Sequence, residues 1–162
     1  MGPCARRHTG MILRRSSIEI QARKGGIYLP EVDLWLDPRG NKDTAFISHA
    51  HADHFSRPKK AFCSPETAYL LMNRFGNPAE SLEVIRWEEI RVIDGWEIRL
   101  LPAGHIVGSA MLHLTRLCDG ATLLYTGDFK TRLSRTCRAA ISKKSEVLVM
   151  ETTYGKPNFV FP

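Results

Sequence analysis

The segment His49-Ala50-His51-Ala52-Asp53-His54 places three imidazoles and one carboxylate within six residues, directly after the apolar run Thr44-Ala45-Phe46-Ile47-Ser48. On extended backbone, residues i and i+2 share a side, so His49 and His51 can aim at one point. A following turn can aim Asp53 and His54 at a neighbouring point. A helix would splay His49 from His51, which excludes the helical H-E-x-x-H arrangement. Imidazole and carboxylate donors suit Zn²⁺, with Mn²⁺ or Fe as alternatives. Ala50 and Ala52 leave the donors uncrowded. Two further candidates each close a strand-like run. His105 lies in Pro102-Ala103-Gly104-His105-Ile106-Val107-Gly108-Ser109, and Asp128 ends Leu123-Leu124-Tyr125-Thr126-Gly127-Asp128. His113 differs: flanked by Leu112 and Leu114 inside a strand, it is expected to face outward and take no ligand role.

The elements that must hold these side chains are mostly short strands. Gly26–Pro30, Asp33–Asp37 and Thr44–Ser48 read as strands bounded by Gly, Pro and polar residues. Glu89–Ile93 and Trp96–Leu101 read as a hairpin about Asp94-Gly95, and Met111–Leu117 with Ala121–Thr126 as a second. Glu146–Met150 is another apolar strand. One helix is expected over 65–75, with Ser64 as its cap, Pro65 in its first turn and Gly76 just past its end. Its apolar face would use Ala68, Leu71, Met72 and Phe75. Strand-rich order with few helices predicts one α/β domain with a mostly antiparallel sheet.

At 162 residues, 43% apolar and 25% charged, the chain has the size and balance of one globular domain. Residues 1–16 form a basic tail expected to be disordered, and residues 17–162 the folded domain. No apolar run reaches the roughly 18 residues of a membrane helix, so no membrane partner is expected. Cys4, Cys63, Cys118 and Cys137 are scattered without a C-x-x-C, which fits separate thiols in a reducing cytoplasm. The net charge of +6 favours polyanionic partners. Lys130, Arg132, Arg135, Arg138, Lys143 and Lys144 follow Asp128 with no acid among them. This run is a candidate phosphate-contacting surface.

Taken in order, H-x-H-x-D-H after a strand, the lone His105 in A-G-H-x-x-G-S and Asp128 in Y-T-G-D resemble the metallo-β-lactamase-fold hydrolases. Asp37 matches that fold's early structural aspartate. Glu151-Thr152-Thr153-Tyr154-Gly155 looks like the first motif of the nucleic-acid-processing branch called β-CASP. The likeness is strongest to the bacterial ligase-associated DNA exonucleases and the proteins called mRNA 3′-end processing factors. Gly26–Pro30, Asp33–Pro38 and Gly155-Lys156-Pro157 fit it as well, and it covers roughly residues 25–162.

The resemblance implies an αββα sandwich and a hydrolase that cleaves phosphodiester bonds of DNA or RNA through a metal-bound hydroxide. It assigns His49, His51 and His105 to one metal and Asp53 and His54 to a second, with Asp128 bridging. It makes Asp53, Asp128 and Glu151 the catalytic acids and Asp37 a buttress of the ligand loop. It also implies association with DNA-repair or RNA-processing factors. Members continue into an inserted β-CASP domain and then complete the sandwich. The chain is therefore expected to be the N-terminal part of such a protein, holding one metal more tightly than the other. Two alternatives stand beside this reading: a thioesterase or lactamase of the same fold, and an inactive fragment of a nuclease.

Overall fold

The computed structural model describes residues 18–76, 79–153 and 155. β1 (Gln21–Arg23), β2 (Gly26–Leu29), β3 (Leu34–Leu36), β4 (Thr44–Phe46), β5 (Lys60–Cys63) and β6 (Ser81–Val84) lie side by side in that order in one sheet. β7 (Arg91–Ile93), β8 (Trp96–Pro102), β9 (Ala110–Arg116), β10 (Thr122–Tyr125) and β11 (Val147–Val149) form a second, ordered β11-β10-β9-β8-β7. Among the described residues there is one α-helix, α1 (Pro65–Phe75), between β5 and β6. The proposed tail and the end of the β-CASP motif, Tyr154 and Lys156-Pro157, lie outside the described residues.

The single sheet that strand order alone predicts gives way to the two of the expected αββα sandwich, and the antiparallel majority is narrow, five of nine pairings among the described residues. There are two sheets, and β3 through β6 pair in parallel, as do β10 and β11. Parallel neighbours need a crossover between them. Residues 47–59 and α1 supply two of these, and the first carries the His-rich loop. β1, β5 and β6 were not anticipated. Each is three or four residues long, too short to show a period.

The sheets are held face to face by alternation. Trp96, Ile98 and Leu100 on β8 and Leu112 and Leu114 on β9 point inward, against Leu34, Leu36, Phe46 and Phe62 of the first sheet. The alternate residues of the first sheet, Ala45, Ala61 and Cys63, face the other way and are covered by Ala68 and Leu71 of α1. Burial of a side chain such as Leu71 stabilises by roughly 1.5–3 kcal/mol. α1 begins as expected: Ser64 Oγ accepts from Thr67 N, Pro65 opens the first turn, and Gly76 N donates to Met72 O. Met72, however, is 58% exposed and does not join the apolar face, because the helix lies over the sheet along the Ala68–Leu71 line. The Asp94-Gly95 hairpin has positive φ at both residues, 48° and 82°, the geometry that matches strand twist.

His113 is also corrected. It does point away from the sandwich core, between Leu112 and Leu114, but it is only 1% exposed. That outer face is not open to water. Phe129 and Ala140, from the segment after Asp128, pack there on Met111 and Leu124. Neither ring nitrogen of His113 has a hydrogen-bond partner, and burial pushes its pKa down to about 4.

Candidate metal centre

Each candidate ligand follows the end of a strand, and all of these ends lie along one edge of the sandwich. Asp37 follows β3, His49 to His54 follow β4, His105 follows β8, Asp128 follows β10 and Glu151 follows β11. β3 and β4 belong to the first sheet and β8, β10 and β11 to the second, so the site forms only where both meet. Ala110 N donates to Ser48 O at 2.9 Å and ties the sheets together at this edge.

Four side chains converge. One ligand atom from each of His49, His51, His105 and Asp128 lies within 4.8 Å of the others. His49 Nε2 is 3.0 Å from His51 Nδ1 and 3.9 Å from Asp128 Oδ2. His105 Nε2 is 3.4 Å from His51 Nδ1 and 3.6 Å from Asp128 Oδ2. Asp37, His49 and His54 make a second close group beside it. His54 Nε2 lies 3.3 Å from Asp128 Oδ1, so Asp128 faces both groups. Asp53 stands apart: its side chain is 73% exposed and its carboxylate is 3.9 Å from His54 Nε2.

Asp37 organises the loop. It adopts a left-handed conformation, φ 40°, which aspartate tolerates better than most residues. Its Oδ1 accepts from Ser48 N at 2.7 Å. Its Oδ2 accepts from Ser48 Oγ at 2.5 Å, Tyr125 OH at 2.9 Å and His54 Nδ1 at 3.0 Å. With the Ser48 hydroxyl donating to Asp37, His49 Nδ1 donates to Ser48 Oγ at 2.9 Å. Both imidazoles are thereby fixed with the proton on Nδ1 and the lone pair on Nε2, facing the cluster. This is the orienting arrangement that metal-ligating histidines use. Ser48 and Tyr125 were assigned no role from sequence. Their only signal was adjacency, Ser48 directly before H-x-H and Tyr125 opening Y-T-G-D.

Electrostatics favour the neutral imidazole at His49 and His105. Burial, then the neighbouring His54, His51 and His105, pushes His49 down to about 3. Burial lowers His105 as well. The hydrogen bond to Asp37 raises His54. Burial raises Asp128, with Glu151 and Asp37 adding to it and His54 and His105 opposing. Three nitrogen lone pairs and a carboxylate oxygen facing one another repel without a cation between them, so the donor set fits a divalent ion of the zinc type.

The remaining candidates frame this cluster. Glu151 Oε1 accepts from Phe129 N and its Oε2 from Thr153 Oγ1, which braces the chain just after Asp128. Gly127, φ 52°, brings that chain against Ser48; a Cβ there would lie 2.5 Å from Ser48 Cβ. The His105 loop is anchored by Ser109 Oγ, which accepts from His105 N and Ile106 N. Gly108 O accepts from Ser64 Oγ and Thr67 Oγ1 at the start of α1. Lys130, Arg132, Arg135 and Arg138 are exposed on an irregular segment. Arg138 lies over Trp87, 5.0 Å from the ring centroid.

Two packed sheets with histidines and aspartates gathered at strand ends along one edge define a metallo-β-lactamase-type sandwich. The chain is 39% identical over 141 residues to a protein of Opitutus terrae named "Probable DNA ligase", covering 85% of this chain and 13% of that one. It is 30% identical to an RNase J-like protein of Methanocaldococcus jannaschii, covering 91% and 41%, and 32% identical to the DNA cross-link repair protein SNM1 of Arabidopsis thaliana, covering 72% and 25%. No family model matches the chain. The chain belongs to the β-CASP branch of the metallo-β-lactamase-fold proteins. It spans less than half the length of each of these relatives.

Proposed function

We propose that this chain carries the metal-binding part of a hydrolase that cleaves phosphodiester bonds in DNA or RNA. The observation that carries the reading is the convergence of His49 Nε2, His51 Nδ1, His105 Nε2 and Asp128 Oδ2 within one 4.8 Å cluster. The relatives named for DNA ligation, RNase J and DNA cross-link repair support a nucleic-acid substrate over a thioester or lactam. His49, His51, His105 and Asp128 would hold one divalent ion, Zn²⁺ first and Mn²⁺ second. His54 would hold a second ion, with Asp128 Oδ1 at 3.3 Å and Asp53 at the rim as the further donors on offer. Such ions supply Lewis acidity at a phosphoryl oxygen and lower the pKa of water.

The chain's own residues do the rest. Asp37 and Ser48 hold the His54 and His49 lone pairs toward the cluster. Asp53, free at the rim beside His54, is placed to orient an incoming water by accepting its hydrogen bond. Glu151 keeps Asp128 on station by binding Phe129 N. Lys130, Arg132, Arg135 and Arg138 would meet the flanking phosphates, and they offset the carboxylates that would otherwise repel a polyanion. Partners of the repair or RNA-processing type follow from the same reading.

The test has two arms. Zinc titration of the chain against a chromophoric chelator should show tight binding that His51→Ala or Asp128→Ala removes. Labelled single-stranded DNA and RNA should be cleaved only with added metal, and not by His51→Ala. Turnover of thioesters with both oligonucleotides left intact would refute the substrate class, and zinc binding unchanged in His51→Ala would refute the site.

A further inference from the structure

A second place in the fold gathers nucleic-acid-binding chemistry away from the metal cluster. In β3, Leu34 and Leu36 point into the core, so Trp35 points to the opposite face. Tyr28 is its cross-strand neighbour on β2. The two rings are 4.9 Å apart between centroids and tilted by 40°. α1 covers the outer face over β4 and β5 but leaves these rings partly exposed. They floor an open groove of about 490 Å³.

Four cations, Arg23, Lys42, Arg57 and Lys59, line the groove together with three carboxylates, Asp33, Asp43 and Glu80. The Arg23 guanidinium lies 4.1 Å from the Tyr28 centroid, and Lys42 Nζ lies 3.9 Å from the Trp35 centroid. Arg57 adds a third charge. Arg23 bonds Gln21, Lys42 bonds the Lys24 carbonyl and Arg57 the Phe75 carbonyl. Among the described residues, none of the three forms an ion pair with a carboxylate. Lys59, by contrast, is taken by Asp43 at 2.7 Å, and the Tyr28 hydroxyl by Asp33.

The groove is joined to the metal cluster by chain at both ends. Trp35 is two residues before Asp37, and Arg57 is three residues after His54. Three residues of extended chain span at most about 10 Å. Asp43, Lys59 and Glu80 directly precede β4, β5 and β6, so the groove opens toward the strand ends opposite the cluster, and a strand of substrate joining the two would run along the outer face of the sheet.

We propose that the Tyr28–Trp35 groove is a subsite for single-stranded nucleic acid. Bases stack on the two rings, displacing Arg23 and Lys42, and these cations with Arg57 turn to the phosphates. Stacking on aromatic faces and unpaired cations along the backbone are the two parts from which non-specific single-strand sites are built. A stacked duplex offers no free base face to tilted rings on a groove floor, so single strands are favoured. This inference deepens the proposed function and rests on its substrate class.

The probe is a fluorescein-labelled oligothymidylate, with binding to the 162-residue chain read by anisotropy in excess chelator, where no cleavage occurs. The parent should bind, and Trp35→Leu should weaken binding about tenfold. Arg23→Ala with Lys42→Ala, both at the surface, should weaken it by a similar factor and flatten the log–log salt slope by about 1.4, the value for two lost single-strand contacts. Duplex of the same length should bind more weakly, with no response to Trp35→Leu. His51→Ala should keep full binding, so loss of cleavage there speaks only to the metal site. Binding by the Arg23/Lys42 double variant within twofold of the parent overturns the subsite, whatever the cleavage assay shows. So does a parent that binds no oligothymidylate, or that prefers duplex.

Discussion

Replacing Asp37 by asparagine alters the hydrogen-bonding sense of one atom where several donors meet. Asparagine matches aspartate in shape and can still accept from Ser48 N through Oδ1. Its Nδ2 then stands where Oδ2 accepted from Ser48 Oγ, Tyr125 OH and His54 Nδ1. The two hydroxyls can rotate to accept. His54 Nδ1 can accept only if its proton moves to Nε2, the nitrogen 3.3 Å from Asp128 Oδ1. Turning the amide over only sets Nδ2 against the Ser48 N–H. The exchange removes charge-assisted hydrogen bonds worth about 1.5–3 kcal/mol each. Since the hydroxyls recover part of this, the expected net loss is about 2–3 kcal/mol. Protonating His54 Nε2 blocks its lone pair, so metal affinity at the His54 side should fall about 10–100-fold, as for other orienting partners of ligand histidines. The assays are urea unfolding in chelator and zinc competition titration, with the His54 tautomer read from ¹⁵N chemical shifts. If Asp37→Asn keeps zinc affinity within twofold and leaves the proton on His54 Nδ1, the orienting role of Asp37 is refuted.

His113→Leu should stabilise the chain by about 1–3 kcal/mol at neutral pH, since it removes two buried unpaired nitrogens; urea midpoints measure this. The parent His113 is held at about 4 when folded, among Lys143, Arg99 and Glu97, against about 6.5 unfolded. The unfolded chain therefore binds the proton first, so stability is intact above about pH 6.5 and falls by roughly 2 kcal/mol by pH 5; His113→Leu should flatten that slope. Gly127→Ala forces a Cβ to 2.5 Å from Ser48 Cβ at positive φ, and should cost about 2–4 kcal/mol and depress zinc binding with it. Ser64→Ala loses both the α1 cap and the bond to Gly108 O, for about 1–2 kcal/mol, read as a lower thermal midpoint.

The ligand loop and the α1 boundaries were legible because their signals are local. H-x-H-x-D-H states its own chemistry, and Ser64-Pro65 with Gly76 marks both helix ends. His105 and Asp128 were legible only as strand-end residues; their meeting with His49 is set by the docking of two sheets, which no local window encodes. The Asp37 hub was half visible, since the carboxylate could be placed beside the site but its Ser48 and Tyr125 donors could not. His113 was misjudged because alternation tells which face a side chain takes, not whether irregular chain covers that face. Met72 obeyed helical spacing yet stayed in water, because a helix over small Ala45 and Ala61 buries a narrow stripe.

The division of the ligands between the two sheets bears on the order of events during folding. His49, His51 and His54 follow β4, while His105 and Asp128 lie more than fifty residues further on. A nascent chain that has made only the first sheet has imidazoles but no closed cage, so it cannot retain an ion tightly. Capture must wait for the longest-range contacts in the fold, which form slowly because loop closure precedes their reward. Zinc retention thus becomes a certificate of completed docking, and a ligand that binds only the docked state pulls it forward by mass action. In stopped-flow refolding, the zinc signal should appear with the last phase of tryptophan burial, never ahead of it.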